Sequence, residues 1–138
     1  MATLTYVKFN SFVQALGEKK HNLATDQLVV ALTNSAPLAT NTVLANLTQI
    51  TYTNLSSRNI TTTSWTNSSG TSSLVLQDLT LTASGGAVAP FRYIVIYNDT
   101  ASNDELISYY DIGSSITLGD GETYLLDFSQ SQVLLEIA

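Results

Sequence analysis

The sequence predicts an all-β domain, built as a sandwich, jelly roll or barrel, with one short amphipathic helix near its start. Three observations lead there. From residue 27 onward, segments of alternating apolar and polar residues recur about every ten residues, separated by Gly-, Asn-, Ser- and Pro-rich turn signals. Charged residues are only 12% of the chain, about half the usual share, so Ser, Thr and Asn must cover the surface, which suits strands better than free-standing helices. The chain has 138 residues, 44% of them hydrophobic. That length fits a single β domain spanning 1–138, able to bury roughly two thirds of its unfolded surface.

Phe9, Phe12, Val13 and Leu16 repeat at helical spacing and predict a short helix within about residues 7–20. Asn10 or Ser11 would cap its start, while Gly17 and the Lys19-Lys20-His21 run would end it. So short a helix does not persist alone in water. Its apolar face needs a surface, and a docking role against a partner is expected of these four residues.

After Thr25 the period changes to two. Residues 27–33 read as a strand, with Leu28, Val30 and Leu32 on one face and Val29 and Ala31 on the other, so both faces are expected to be covered. Asn34-Ser35-Ala36-Pro37 ends it. Residues 38–48 read as a loop or short helical turn over Val43, Leu44 and Leu47.

Strands are then expected at 49–53 and 58–66, up to the Asn67-Ser68-Ser69-Gly70 break. Residues 73–82 read as one strand in which Leu74 and Leu76 are out of phase with Leu79 and Leu81, which predicts a β-bulge near Gln77-Asp78. Beyond the Ser84-Gly85-Gly86 turn, residues 91–98 give the clearest strand, with Phe91, Tyr93, Val95 and Tyr97 alternating with Arg92, Ile94 and Ile96. A polar loop over 98–104 leads to strands at 105–112 and 114–118 and to a turn at Gly119-Asp120-Gly121-Glu122. Tyr124, Leu126 and Phe128 mark the next strand, and Val133, Leu135 and Ile137 the last.

The charge pattern excludes some partners. The net charge is −6, and Lys8, Lys19, Lys20, Arg58 and Arg92 are too few and scattered to follow phosphates, so neither nucleic acid nor an anionic membrane is expected as a partner. No window is apolar for about 18 residues, and residues 1–12 lack the apolar run of a signal peptide, so synthesis in a cytoplasm is expected. The absence of cysteine removes disulfides, thiolate metal sites and Cys nucleophiles.

Catalytic chemistry finds little to use, and no cofactor is expected. His21, the sole histidine, sits in a basic run without a nucleophile-elbow motif and reads as a solvated or capping residue. Asp99, Asp104, Glu105, Asp111, Asp120 and Glu122 fall mainly in turns, where Asp is favoured for backbone reasons. Residues 99–105 place oxygen donors at alternate positions, but Ala101 occupies one of them and the EF-hand glycine is missing, so two acidic turns are expected and no metal. Five Asn-x-Ser/Thr sequons, at Asn46, Asn54, Asn59, Asn67 and Asn98, follow from a composition rich in those residues.

The late aromatics Phe91, Tyr93, Tyr97, Tyr109, Tyr110, Tyr124 and Phe128 fall mostly on alternating positions and read as core, with exposed glycan-binding use as the alternative. Trp65 stands in a Thr/Ser-rich stretch and reads as a contact anchor for a partner. A structural or interaction protein is the expected class, with Phe9, Phe12, Val13, Leu16 and Trp65 as its contact residues.

Certain stretches carry a resemblance. They are Lys8-Phe9-Asn10, Phe12-Val13, Leu16, His21-Asn22-Leu23, Thr25-Asp26-Gln27-Leu28, Val30-Ala31-Leu32-Thr33-Asn34 and Ala36-Pro37. Later come Pro90-Phe91-Arg92-Tyr93, Tyr97-Asn98-Asp99-Thr100, Asn103-Asp104, the run from Gly113 to Leu118, and Asp120-Gly121-Glu122-Thr123. From about residue 6 onward this pattern resembles a family of small virion structural proteins of tailed double-stranded DNA phages. The resemblance implies a capsid decoration, or cement, protein on the outer surface of the virion, made in the host cytoplasm. Its implied partners are the major capsid protein and further copies of itself, with a trimer expected at threefold positions of the capsid. A receptor- or glycan-binding module of a phage fibre or tail is the alternative. The family brings no catalytic motif to align.

Overall fold

A computed structural model describes residues 5–128 and 135–137. The order along the chain begins with β1 (Thr5–Lys8), α1 (Phe12–Gly17), β2 (Leu28–Thr33) and a 3₁₀ turn (Leu44–Asn46). It continues with β3 (Asn59–Ile60), β4 (Thr62–Ser68), β5 (Thr71–Leu76), β6 (Leu79–Thr82) and β7 (Phe91–Asn98), then β8 (Leu106–Ile116), β9 (Thr123–Leu126) and β10 (Leu135–Ile137). The strands form an antiparallel five-stranded sheet in the order β1-β8-β7-β2-β3, a three-stranded sheet β10-β5-β4 and a two-stranded pair β6-β9. This is an all-β sandwich with one short helix. Val133, expected in the last strand, lies outside the described residues.

The main core fills the space between the large sheet and the smaller ones. Leu28, Val30 and Leu32 of β2 and Ile94 and Ile96 of β7 meet Leu74 and Leu76 of β5, Leu81 of β6 and Leu126 of β9. Val29, Ala31, Val95, Tyr97 and Leu106 project from the opposite face of the large sheet, where Phe9, Leu44 and Leu47 cover them. Strand β2 is therefore buried along its whole length, as its unbroken apolar run requires.

Several expected strands take other forms. Residues 49–53 form no strand: their main chain meets β2 through one bond, from the Ile50 N–H to the Leu32 carbonyl at 3.0 Å, and side chains take neighbouring main-chain groups of β2. The Tyr52 hydroxyl accepts from the Leu32 N–H at 3.0 Å, and Arg58 Nη1 donates to the Val30 carbonyl at 2.6 Å while its guanidinium lies 3.6 Å over the Tyr52 ring. Residues 73–82 are two strands, not one bulged strand. After Leu76 the chain leaves β4 and joins β9 at Leu79, so the change of phase is a change of sheet, and both halves still reach the same core. Residues 105–112 and 114–118 merge into β8, whose register against β7 slips between Phe91 and Tyr93. Gly113 lies in that slip with φ +100°, a conformation open to glycine at little cost.

Candidate functional site

The expected docking residues divide among different surroundings. Helix α1 starts only at Phe12, so Phe9 stands outside it, extending β1 by a bond from its N–H to the Ile107 carbonyl at 3.1 Å. Phe9 and Phe12 are both fully buried, on opposite faces of the large sheet. This corrects the docking role expected of them: the surface covering the apolar helix face is the chain's own sheet. Leu16 is half-buried against the main core, and only Val13, 44% exposed, faces solvent. Trp65 is half-buried, its ring packed on the main core from β4. Phe91, Tyr93, Tyr97 and Phe128 are buried.

Helix α1 ends in a way that builds a polar centre. Lys19 adopts a left-handed conformation, φ +66°, and the N–H groups of Lys19 and Lys20 bond to the carbonyls of Leu16 and Ala15. This is the Schellman geometry, with Lys at the position glycine usually takes. It turns the chain inward, so His21 is buried and packs against the Phe12 ring at 5.3 Å. The solvated or capping role expected of His21 is thereby corrected.

Asn98, fully buried at the end of β7, organises the centre. Its Oδ1 accepts from the N–H groups of Thr100 and Ala101 at 3.0 and 3.2 Å, which fixes the orientation of the amide. Its Nδ2 must then donate, to Asp26 Oδ2 at 2.7 Å and to His21 Nδ1 at 3.0 Å. Asp26 Oδ2 also accepts from the Asn22 N–H at 2.8 Å. A neutral imidazole that accepts at Nδ1 carries its proton on Nε2. His21 therefore has no free lone pair to offer a substrate as a base. Glu105, also buried, completes the centre, and its N-terminal neighbour Asp104 accepts the Leu44 N–H on its carbonyl.

Burial pushes the His21 pKa below its ordinary value, against the opposing pull of Glu105 and Asp26 and with a small push from Lys20. As pH falls through about 6.5, the unfolded chain binds a proton at residue 21 that the folded chain refuses. Stability is therefore full above that pH and declines below it until the folded-state pKa is reached. Protonation also sets an N–H on Nδ1 against the Asn98 amine. Urea midpoints measured from pH 7.5 to 5.5 are expected to fall with pH, and the slope to vanish in His21→Gln. A flat profile in the unmodified chain would remove this assignment.

Over this centre lies a cavity of about 360 Å³, bordered by Lys19, Lys20, Asn22, Asp26, Asn103 and Glu105. Three further acidic side chains have main-chain or ionic partners: Asp111, Asp120 and Glu122, whose Oε1 accepts the Gly119 N–H. Asp111 receives two bonds from Arg92, at 2.8 and 3.1 Å, which hold its carboxyl below the usual range, and Asp120 accepts the Gly85 N–H. Among the described residues, no group of three or more His, Asp or Glu is placed to hold a metal ion, and no helix is long and apolar enough to cross a membrane.

No family model, curated protein or solved structure matches the chain.

The second notable surface is the β4–β5 hairpin. Every residue between Arg58 and Asp78 is uncharged. Thr63, Thr66, Asn67, Ser68, Ser69 and Gly70 are exposed along its strand and tip. Ser69 and Gly70 both take positive φ, 51° and 88°, as a two-residue type I′ turn demands. Sequence reasoning marked Trp65 but not this hairpin, although the charge-free run was the available signal.

Proposed function

We propose that the chain is a structural protein of a phage virion that decorates the capsid and cements it through protein–protein contacts. The observation that carries the reading is the uncharged, exposed β4–β5 hairpin on a β sandwich. Hydroxyl and amide groups meet another protein surface without the large desolvation cost of buried charges. The resemblance of residues 6 onward to small phage virion proteins points the same way and supplies the partner, the major capsid protein.

Particles assembled without this protein are expected to lose heat or low-salt stability, and purified protein added back should restore it. Equal survival of particles with and without it would count decisively against the proposal.

A further inference from the structure

Strand β4 is an edge strand, and its pairing with β5 determines which of its main-chain groups are free. A two-residue turn places its flanking residues, Ser68 and Thr71, in a hydrogen-bonded pair, and such pairs alternate along an antiparallel ladder. Thr66 opposite Ser73 and Ser64 opposite Val75 are then hydrogen-bonded pairs too. The N–H and C=O groups of Trp65 and Asn67 therefore point away from β5. Among the described residues, no main-chain group pairs with them.

Natural edge strands are usually guarded by Lys, Pro or a bulge that twists the edge away. Here the register irregularity lies at Thr62/Ser64, at the start of the strand. The segment from Ser64 to Ser68 is regular and carries neither charge nor proline.

We infer that β4 pairs antiparallel with β4 of a second copy about a twofold axis at Thr66, joining two three-stranded sheets into one continuous sheet. In this register Trp65 faces Asn67 of the other copy twice, so the free groups satisfy one another in about four main-chain hydrogen bonds. Thr66 meets its own counterpart in the closely spaced, non-hydrogen-bonded pair between them. The free groups lie symmetrically about Thr66, which matches a second copy as the occupant, and charge does not oppose it. All charges of a chain with net charge −6 lie outside residues 59–77, so this is the stretch where two copies approach without like charges meeting. Such a short edge makes a weak pair that needs high local concentration, as on a particle surface. The inference goes beyond the proposed function, because pairing is a property of the free protein and is tested without a capsid.

Sedimentation equilibrium over a range up to millimolar protein is expected to show a shift from one chain mass, 14.8 kDa, towards twice that. Asn67→Pro removes an outward N–H while leaving the main-chain bonds to β5 intact. It also removes the exposed bond from Asn67 Nδ2 to Ser72 Oγ at 3.2 Å, and it should hold the mass at one chain with at most a small fall in melting temperature. Thr66→Lys sets two ammonium groups against each other at the axis and should do the same while folding normally. If Asn67→Pro fails to fold, Thr66→Lys alone decides. An unmodified chain that stays monomeric at millimolar concentration overturns the inference, as does a dimer that Thr66→Lys leaves unchanged.

Discussion

Replacing Phe12 with Ala is expected to cost the free protein about 3–5 kcal/mol, the usual price of a large aromatic cavity in a well-packed core. The ring is fully buried, belongs to the main core and packs on His21. Its loss therefore opens a void and removes the ring that packs on His21. Total stabilities of small domains are about 5–15 kcal/mol, so the variant should unfold at much lower urea, and isolated protein suffices to see it. A docking residue would behave differently, leaving the midpoint unchanged and weakening only association. An unchanged midpoint in Phe12→Ala would thus restore the docking role. Val13→Ala, at an exposed position on the same helix, should change stability by no more than about 0.5 kcal/mol.

Asn98→Ala should be comparably damaging, for a different reason. It removes two donated and two accepted hydrogen bonds at once. Little volume is lost, but the Thr100 and Ala101 N–H groups lose their acceptor, and His21 and Asp26 lose their shared donor. Each part-buried group left unpaired costs about 1–3 kcal/mol, and such costs within one network do not simply add. A total of about 3–4 kcal/mol is expected on these grounds. Asn98→Asp separates the two halves of the network. It keeps an acceptor for the loop but places an oxygen opposite His21 Nδ1, which should raise the imidazole pKa and reverse the pH slope of stability near neutrality. Histidine titration followed by NMR reads this directly, and an imidazole pKa still depressed in Asn98→Asp would disprove the donor assignment.

The strongest strand signals survived into the structure, and the failures have physical causes. Strand β7 occupies the bounds that its alternation predicts, and β2 is covered on both faces as its apolar run requires. Both sit centrally in the large sheet, where burial alone decides. The misread segments depend on tertiary partners. Residues 49–53 look like a strand by composition, yet Tyr52 and Arg58 spend their polar groups on the edge of β2. At Gln77-Asp78 a change of phase can mean a bulge or a change of sheet, and only the partner of β6 distinguishes them. His21 shows the same limit more sharply. Its neighbours in sequence are lysines, whereas its neighbours in space come from β7 and from Asp26. The helical spacing of Phe9 with Phe12 and Leu16 was coincidental, because α1 begins three residues later.

The burial of Asn98 also bears on how the protein can be produced. Asn98-Asp99-Thr100 is an acceptor sequon, and the nitrogen to which a glycan would be attached is the one that donates to both His21 and Asp26. A sugar on that atom and the native fold are mutually exclusive. In a eukaryotic secretory host, enzymes that act on the nascent chain would compete with folding for Asn98, so bacterial cytoplasmic expression is the route that leaves this side chain free to do its work.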